Sequence, residues 1–367
     1  MNDPDTDGIK HGVEDHFGLT RHGRQWIPIG DRMARKPTNP DARVIVTGGC
    51  GFIGSHLIRH LLRRGHRVLN LDKLSYAADP RNLADVAGDP AYEFLRIDLC
   101  DEAATRAAFT EFMPARVFHL AAESHVDRSI TEPADFLQSN ILGTASVLRA
   151  AHDAWRDDSA HPLFIQFSTD EVYGALGDGD AGFLETSPYA PNSPYAASKA
   201  AADHLARAWA KTYDLPVVRL HATNVYGTHQ HPEKLIPRVI THAIRGEKVP
   251  VFGHGRQRRE WLHVDDGCEA LLAVSRNARP GGIFHASSGD DWENLRLIER
   301  IVREIRAGDP FDLIRHVADR PGHDARYALA GPRLRDRLAW HPARRLESEL
   351  PAIISWYKTN PGWWHGK

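Results

Sequence analysis

The chain has 367 residues, 42% of them apolar and 26% charged, enough for a sizeable core and for about two domains or one large α/β domain with an added lobe. Lys and Arg number 46 against 48 Asp and Glu, and a net charge of -2 speaks against a nucleic-acid surface or a polybasic membrane patch. No apolar run approaches a membrane span, no secretory signal core is visible, and Cys50, Cys100 and Cys268 are an odd, widely spaced set without C-x-x-C, so a reducing, cytoplasmic setting is expected.

Residues 1–42 read as a polar extension that ends in Lys36-Pro37-Thr38-Asn39-Pro40. It carries one apolar patch, Trp26-Ile27-Pro28-Ile29, able to dock on the body. From Arg43 short apolar runs alternate with helical stretches. Strands are expected at 43–47, 68–72, 93–97, 117–120, 163–167 and 217–220, and helices at 52–64, 101–112, 134–155 and 195–213. Continuous apolar strands separated by helices mean βαβ units and an α/β, doubly wound parallel sheet of the Rossmann kind. We take 43–220 as the dinucleotide-binding domain, with some later segments returning to it. Residues 221–367 read as mainly a smaller mixed α/β substrate lobe, with a strand at 249–252 and helices at 264–276, 293–306 and 347–358.

Three constellations carry chemistry. The first, Thr47-Gly48-Gly49-Cys50-Gly51-Phe52-Ile53-Gly54, lies between a strand and a helix, where glycines let the backbone approach a diphosphate at a helix N-terminus. Asp72, at the end of the next strand, is placed to accept both adenosine ribose hydroxyls, which favours NAD over NADP; the adjacent Lys73 weakens that preference slightly. Cys50 reads as a small packing residue of that loop. The second is Tyr195 and Lys199, one helical turn apart, where an ammonium would make a phenolate available as a base. The third is Ser168-Thr169-Asp170-Glu171-Val172-Tyr173-Gly174, at the carboxyl end of a strand, where two acids in different environments can divide acid and base roles. No histidine cluster has metal spacing, so no metal is expected.

Seven segments (Gly48–Gly54, Leu71–Ala77, His119–Ser129, Ser168–Gly174, Ser193–Lys199, His231–Pro237 and Ala318–Tyr327) together resemble the nucleotide-sugar 4,6-dehydratases, extended short-chain dehydrogenase/reductase enzymes. The resemblance runs from about Arg43 to Tyr357. It implies that Thr169, Tyr195 and Lys199 serve oxidation at sugar carbon 4. Asp170 would protonate the departing carbon 6 hydroxyl, and Glu171 would remove the carbon 5 proton. It implies that Gly48, Gly51, Phe52, Ile53, Gly54, Asp72, Lys73, Asp98, Leu99, Ala121, Ala122 and Thr144, with Tyr195 and Lys199, contact NAD. Ser124, Asn224, Lys234, Arg259 and Arg320 match positions that hold a nucleotide-sugar substrate. His285 stands where the family has a nucleotide-contacting Asn.

The chain departs from the family at Thr223-Asn224-Val225-Tyr226-Gly227-Thr228, which lacks one asparagine and a proline, and at His285-Ala286-Ser287-Ser288. Nucleotide and sugar preference are therefore expected to depend on these positions. The 134–155 and 195–213 helices carry apolar residues on more than one face (Phe136, Ile141, Val147, Leu148, Leu205, Ala208 and Trp209), more than one sheet contact needs, and the resemblance implies that they pair with their copies in a four-helix bundle of a homodimer. Two alternatives stand beside this reading. One is a 4-epimerase or decarboxylase that shares only the oxidation, and the other a non-catalytic NAD-binding sensor.

Overall fold

A computed structural model of the chain describes residues 43–156, 161–177 and 179–367. The expectations for the 1–42 extension and its Trp26–Ile29 patch lie outside the described residues.

In chain order the first elements are β1 Arg43–Thr47, α1 Phe52–Arg63, β2 Arg67–Asp72, β3 Tyr92–Arg96, α2 Glu102–Phe112, β4 Arg116–His119, α3 Val126–Thr131, α4 Pro133–Leu137 and α5 Gly143–Ala154. These are followed by β5 Leu163–Thr169, α6 Pro194–Thr212, β6 Val217–Ala222, β7 Asn224–Tyr226, α7 Leu235–Arg245, β8 Val249–Phe252, β9 Arg258–His263 and α8 Val264–Asn277. The remainder is β10 Ile283–Ala286, β11 Asp291–Glu293, α9 Asn294–Ile305, β12 Ile314–Val317, α10 Pro332–Leu338, α11 Leu346–Thr359 and α12 Pro361–Trp364.

Seven parallel strands form the main sheet in the order β10-β6-β5-β4-β1-β2-β3. Two buried clusters cover its faces. One includes Val44, Leu57, Ile58, Leu220 and Leu271, and the other Ile45, Phe109, Val117, Leu148 and Phe164. This is the doubly wound arrangement expected from the apolar strands, and the order reverses between β1 and β4, where such sheets open a ligand crevice.

Three features differ from the sequence reading. The 264–276 helix packs on the main sheet rather than in a separate lobe: Cys268, Leu271 and Val274 of α8 join the cluster of β1, β2 and β6, and β10 extends the sheet beside β6. The expected 134–155 helix is α4, a π-helical turn Gln138–Leu142 and α5, since Pro133 starts the first piece and the wide turn carries the buried Asn140. The short β7, β9 and β11, without a two-residue hydrophobic alternation to mark them, form a three-stranded sheet, and β8 pairs with β12.

A further cluster around Tyr226, Ile240, Trp261, Ile301, Ile354 and Trp364 consolidates the later elements. The chain's last segment also braces the glycine-rich loop. Trp363 Nε1 donates to Asn82 Oδ1 at 2.8 Å, and Asn82 Nδ2 donates to the Cys50 carbonyl at 2.9 Å.

Candidate active site

One cleft crosses the carboxyl ends of β1, β2, β4, β5 and β6. On its glycine-rich side, a Cβ on Gly48 (φ +72°) would sit 2.7 Å from the Ala121 backbone, and one on Gly54 would sit 2.3 Å from the Gly48 carbonyl. Only hydrogen at these positions lets α1 close on the loop. Gly51 caps α1 without a side-chain bond and the first turn has no acid, so the Phe52 and Ile53 end of the helix faces the cleft as an anion site.

Asp72 is held by two backbone donors, Cys50 N to Oδ2 at 2.9 Å and Leu74 N to Oδ1 at 2.8 Å. The Lys73 ammonium is engaged elsewhere, donating to Ser139 Oγ at 2.6 Å with Glu123 at 3.8 Å. Asp98, Leu99, Ala121 and Ala122 line the same half. An open helix N-terminus for a diphosphate and a fixed carboxylate for a ribose are a donor set that fits NAD.

Thr144 is a correction. It is buried behind the cleft wall, donating to the Asn140 carbonyl at 2.6 Å and bonded to His119 Nε2 at 2.9 Å. Cys50 is an inert packing residue, its thiol pushed up to about 12 by burial.

Thr169, Asp170, Glu171, Tyr195 and Lys199 all line the cleft. β5 delivers Thr169, whose hydroxyl accepts from Glu171 N at 3.3 Å and starts the 3-10 turn Asp170–Tyr173. Asp170 is buried, and its carboxyl is pushed well above the ordinary range by burial, then by Glu171 and Glu260. Its Oδ2 has no protein partner. Burial also raises Glu171, but Arg259, Arg320 and Lys234 oppose it. Burial raises both carboxyls, but neighbouring acids add to the rise at Asp170 while cations oppose it at Glu171, two different environments such as an acid and base pair needs.

Burial, then Glu171 and Asp170, push the Tyr195 phenol up, against a hydrogen bond from Thr169. The expected lowering by Lys199 is not what the geometry gives, because its ammonium donates to the Phe167 carbonyl at 2.7 Å. Gly174 ends the segment at φ +86°, with a Cβ there only 2.4 Å from the Ala190 carbonyl. Gly174→Ala should therefore cost about 1–3 kcal/mol from strain alone, read as a lower Tm in a thermal melt.

Ser124, Asn224 and Lys234 line the cleft, and Lys234 Nζ donates to the Ser124 carbonyl at 2.6 Å. Arg259 and Arg320 stand outside its wall. Arg259 donates to the Asp324 carbonyl at 2.9 Å and stacks 4.2 Å over Tyr327, and Arg320 pairs with Asp127 at 3.2 Å. Both still act on Glu171 through charge.

His285 is a second correction. It is 1% exposed, bonded to the Tyr173 hydroxyl at 2.8 Å, and does not line the cleft. Burial holds its pKa down at about 2, so it carries no charge near neutral pH. Replacing it with Asn should leave the ranking of nucleotides unchanged, and altered ratios of kcat/KM across a nucleotide panel would contradict this placement.

Sequence reasoning missed Asn140, whose Nδ2 donates to Ser198 Oγ at 2.8 Å and to the Glu123 carbonyl at 3.0 Å while its Oδ1 accepts from Glu123 N at 2.8 Å. It ties the cleft wall to the Tyr195 helix from inside the π-helical turn, and among the polar Gln138, Ser139 and Asn140 the sequence had no local signal to single it out.

Residues 44–286 match the NAD dependent epimerase/dehydratase family. A dTDP-glucose 4,6-dehydratase of Neisseria meningitidis serogroup B is 43% identical over 336 residues, 88% of this chain and 95% of the relative. A crystal structure of a Streptomyces venezuelae dTDP-glucose 4,6-dehydratase with NAD and TYD bound aligns with TM-score 0.83 at 39% identity, over 88% of this chain and 99% of that one. A Thermus thermophilus UDP-glucose 4-epimerase in complex with NAD aligns with TM-score 0.78 at 28% identity, over 87% and 99%.

Proposed function

The chain belongs to the NAD dependent epimerase/dehydratase family, and from that premise we propose that it is a nucleotide-sugar 4,6-dehydratase, an NAD-using hydro-lyase acting on dTDP-glucose or a close NDP-hexose to give the 4-keto-6-deoxy sugar. The observation that carries this reading is the adjacent pair Asp170 and Glu171 in one cleft with Tyr195, one carboxyl among acids and the other among cations. Oxidation alone needs neither carboxyl.

Bound NAD supplies a two-electron acceptor that is reduced and reoxidised within each turnover. Gly48, Gly51, Phe52, Ile53, Gly54 and Asp72 would hold it. Tyr195, bonded to Thr169, takes the proton of the carbon 4 hydroxyl, and Lys199 holds the Phe167 carbonyl against α6. The ketone formed at carbon 4 acidifies the carbon 5 hydrogen, which Glu171 removes. Asp170 gives its proton to the carbon 6 hydroxyl and water leaves. Glu171 then returns a proton to carbon 5 as carbon 6 is reduced. Ser124, Asn224 and Lys234, which line the cleft, would hold the nucleotide sugar, while Arg259 and Arg320 act on Glu171 through charge.

After the ketone a 4-epimerase would re-reduce carbon 4 from its other face and a decarboxylase would release carbon dioxide; neither expels a carbon 6 hydroxyl, so both leave Asp170 without a task, and a silent sensor would have no use for the intact Tyr195 and Lys199. Assaying dTDP-, UDP-, GDP- and CDP-glucose for a 4-keto product and released water tests the reading. Carbon dioxide from a uronic acid, or an epimer without water loss, would overturn it.

We place the enzyme in the cytoplasm as a homodimer. Among the described residues no helix is long and apolar enough to cross a membrane, and the three cysteines are free. Phe136, Val147 and Leu148, expected to face a partner, are buried in the chain's own core. Leu137 and Leu142, 49% and 61% exposed, stand on the α4–α5 face instead and support the pairing. Light scattering should give twice the chain mass, with Leu142→Glu shifting it toward the monomer.

A further inference from the structure

A polar cluster lies beneath the catalytic segment and meets the cleft only at Ser168. Asp203 is fully buried on α6, one turn beyond Lys199. Its Oδ2 accepts from Ser168 Oγ at 2.6 Å and from the Tyr189 hydroxyl at 3.2 Å, and bonds His221 Nε2 at 2.9 Å. At the other end, Tyr173 closes the turn that carries the two acids. Its hydroxyl bonds His285 Nε2 at 2.8 Å, and its ring packs edge-on against Tyr189 and His285 at 5.2 and 5.3 Å.

Ser168 precedes Thr169 directly, and Tyr173 follows Glu171 by two residues. The reacting groups therefore sit on a short segment tied at both ends, to α6 on one side and to β10 on the other. Packing alone does not account for this. Asp203 Oδ1 and His221 Nδ1 are buried without protein partners, and a buried polar network left partly unsatisfied is less stable than apolar side chains of equal volume. What the network supplies is direction: each bond fixes one end of the segment in one orientation.

We infer that Asp203 and His285 are positioning residues for the elimination, holding the Ser168–Tyr173 segment through Ser168 and Tyr173 so that Asp170 and Glu171 meet carbons 6 and 5 together. The inference rests on the dehydratase reading. Oxidation depends first on Tyr195 and Lys199, which α6 carries, and the segment adds only the Thr169 hydroxyl to it, whereas elimination takes both its acid and its base from the segment, so loosening the segment should affect elimination more than oxidation.

Ser168→Ala and Tyr173→Phe each remove one hydroxyl and keep the packing. With the holoenzyme and the best substrate of the nucleotide panel, each should slow water release about tenfold, the scale of a small misplacement of reacting groups. KM and the first-turnover rate of NAD reduction should stay within about twofold, so reduced nicotinamide accumulates where the unaltered enzyme shows little. His285→Ala should do the same, and His285→Gln, which restores an acceptor toward Tyr173, should recover part of the loss. Variants that match the unaltered enzyme in both steps would overturn the inference alone, as would both steps slowing equally in proportion to a lowered Tm. An unaltered enzyme that releases no water from any nucleotide sugar would overturn the dehydratase reading and this inference with it.

Discussion

Glu171→Gln enzyme should, on addition of substrate, reduce its NAD and stop. Tyr195 and Thr169 remain to serve the carbon 4 hydroxyl, but an amide cannot take the carbon 5 proton. Loss of one positioned general base costs about a hundred- to ten-thousand-fold, so 4-keto-6-deoxy product should fall by that factor while the reduced-nicotinamide absorbance rises toward one equivalent per site. Asp170→Asn should behave differently in degree. The base remains, so carbon 5 exchanges its hydrogen with solvent, yet the carbon 6 oxygen has no acid and leaves slowly. The two variants thus separate proton removal from leaving-group protonation by a single isotope-exchange measurement. Normal turnover by Glu171→Gln would remove its assigned role, and with it the strongest argument against an epimerase.

The division of labour between these carboxyls was legible in the sequence only as two adjacent acids at a strand end. What separates them is long-range: Glu260 from β9 beside Asp170, and Arg259, Arg320 and Lys234 around Glu171. The main sheet was legible because parallel strands covered on both faces are continuous apolar runs. β7, β9 and β11 were not, because three-residue and half-polar strands such as Asp291–Glu293 carry no period. The glycine loop, Asp72 and the Tyr195–Lys199 pair were local signals and fell in one cleft. Thr144 and His285 were placed by family position, and there burial decided otherwise: the Thr144 hydroxyl is spent on Asn140 and His119, and His285 Nε2 on Tyr173.

The raised phenol of Tyr195 yields the second large prediction. Tyr195→Phe has no group to take the carbon 4 proton, so neither reduced nicotinamide nor product should appear, with activity at least about a hundredfold down. Before that limit, the pH dependence of oxidation reports on the same group. Tyr195 acts when deprotonated, and its pKa lies above the ordinary tyrosine value because of burial first and the Glu171 charge second. The oxidation rate should therefore climb with pH through the neutral range, as the small phenolate fraction grows. Removing the Glu171 charge lowers the phenol's pKa and gives more phenolate at any fixed pH. First-turnover NAD reduction in Glu171→Gln should then follow the same rising limb displaced to lower pH, even though this variant makes almost no product. Asp170→Asn should shift it in the same direction by less, because Asp170 adds less than Glu171 to the rise of the phenol. Superimposable limbs for Glu171→Gln and the unaltered enzyme would mean that another group accepts the proton from carbon 4.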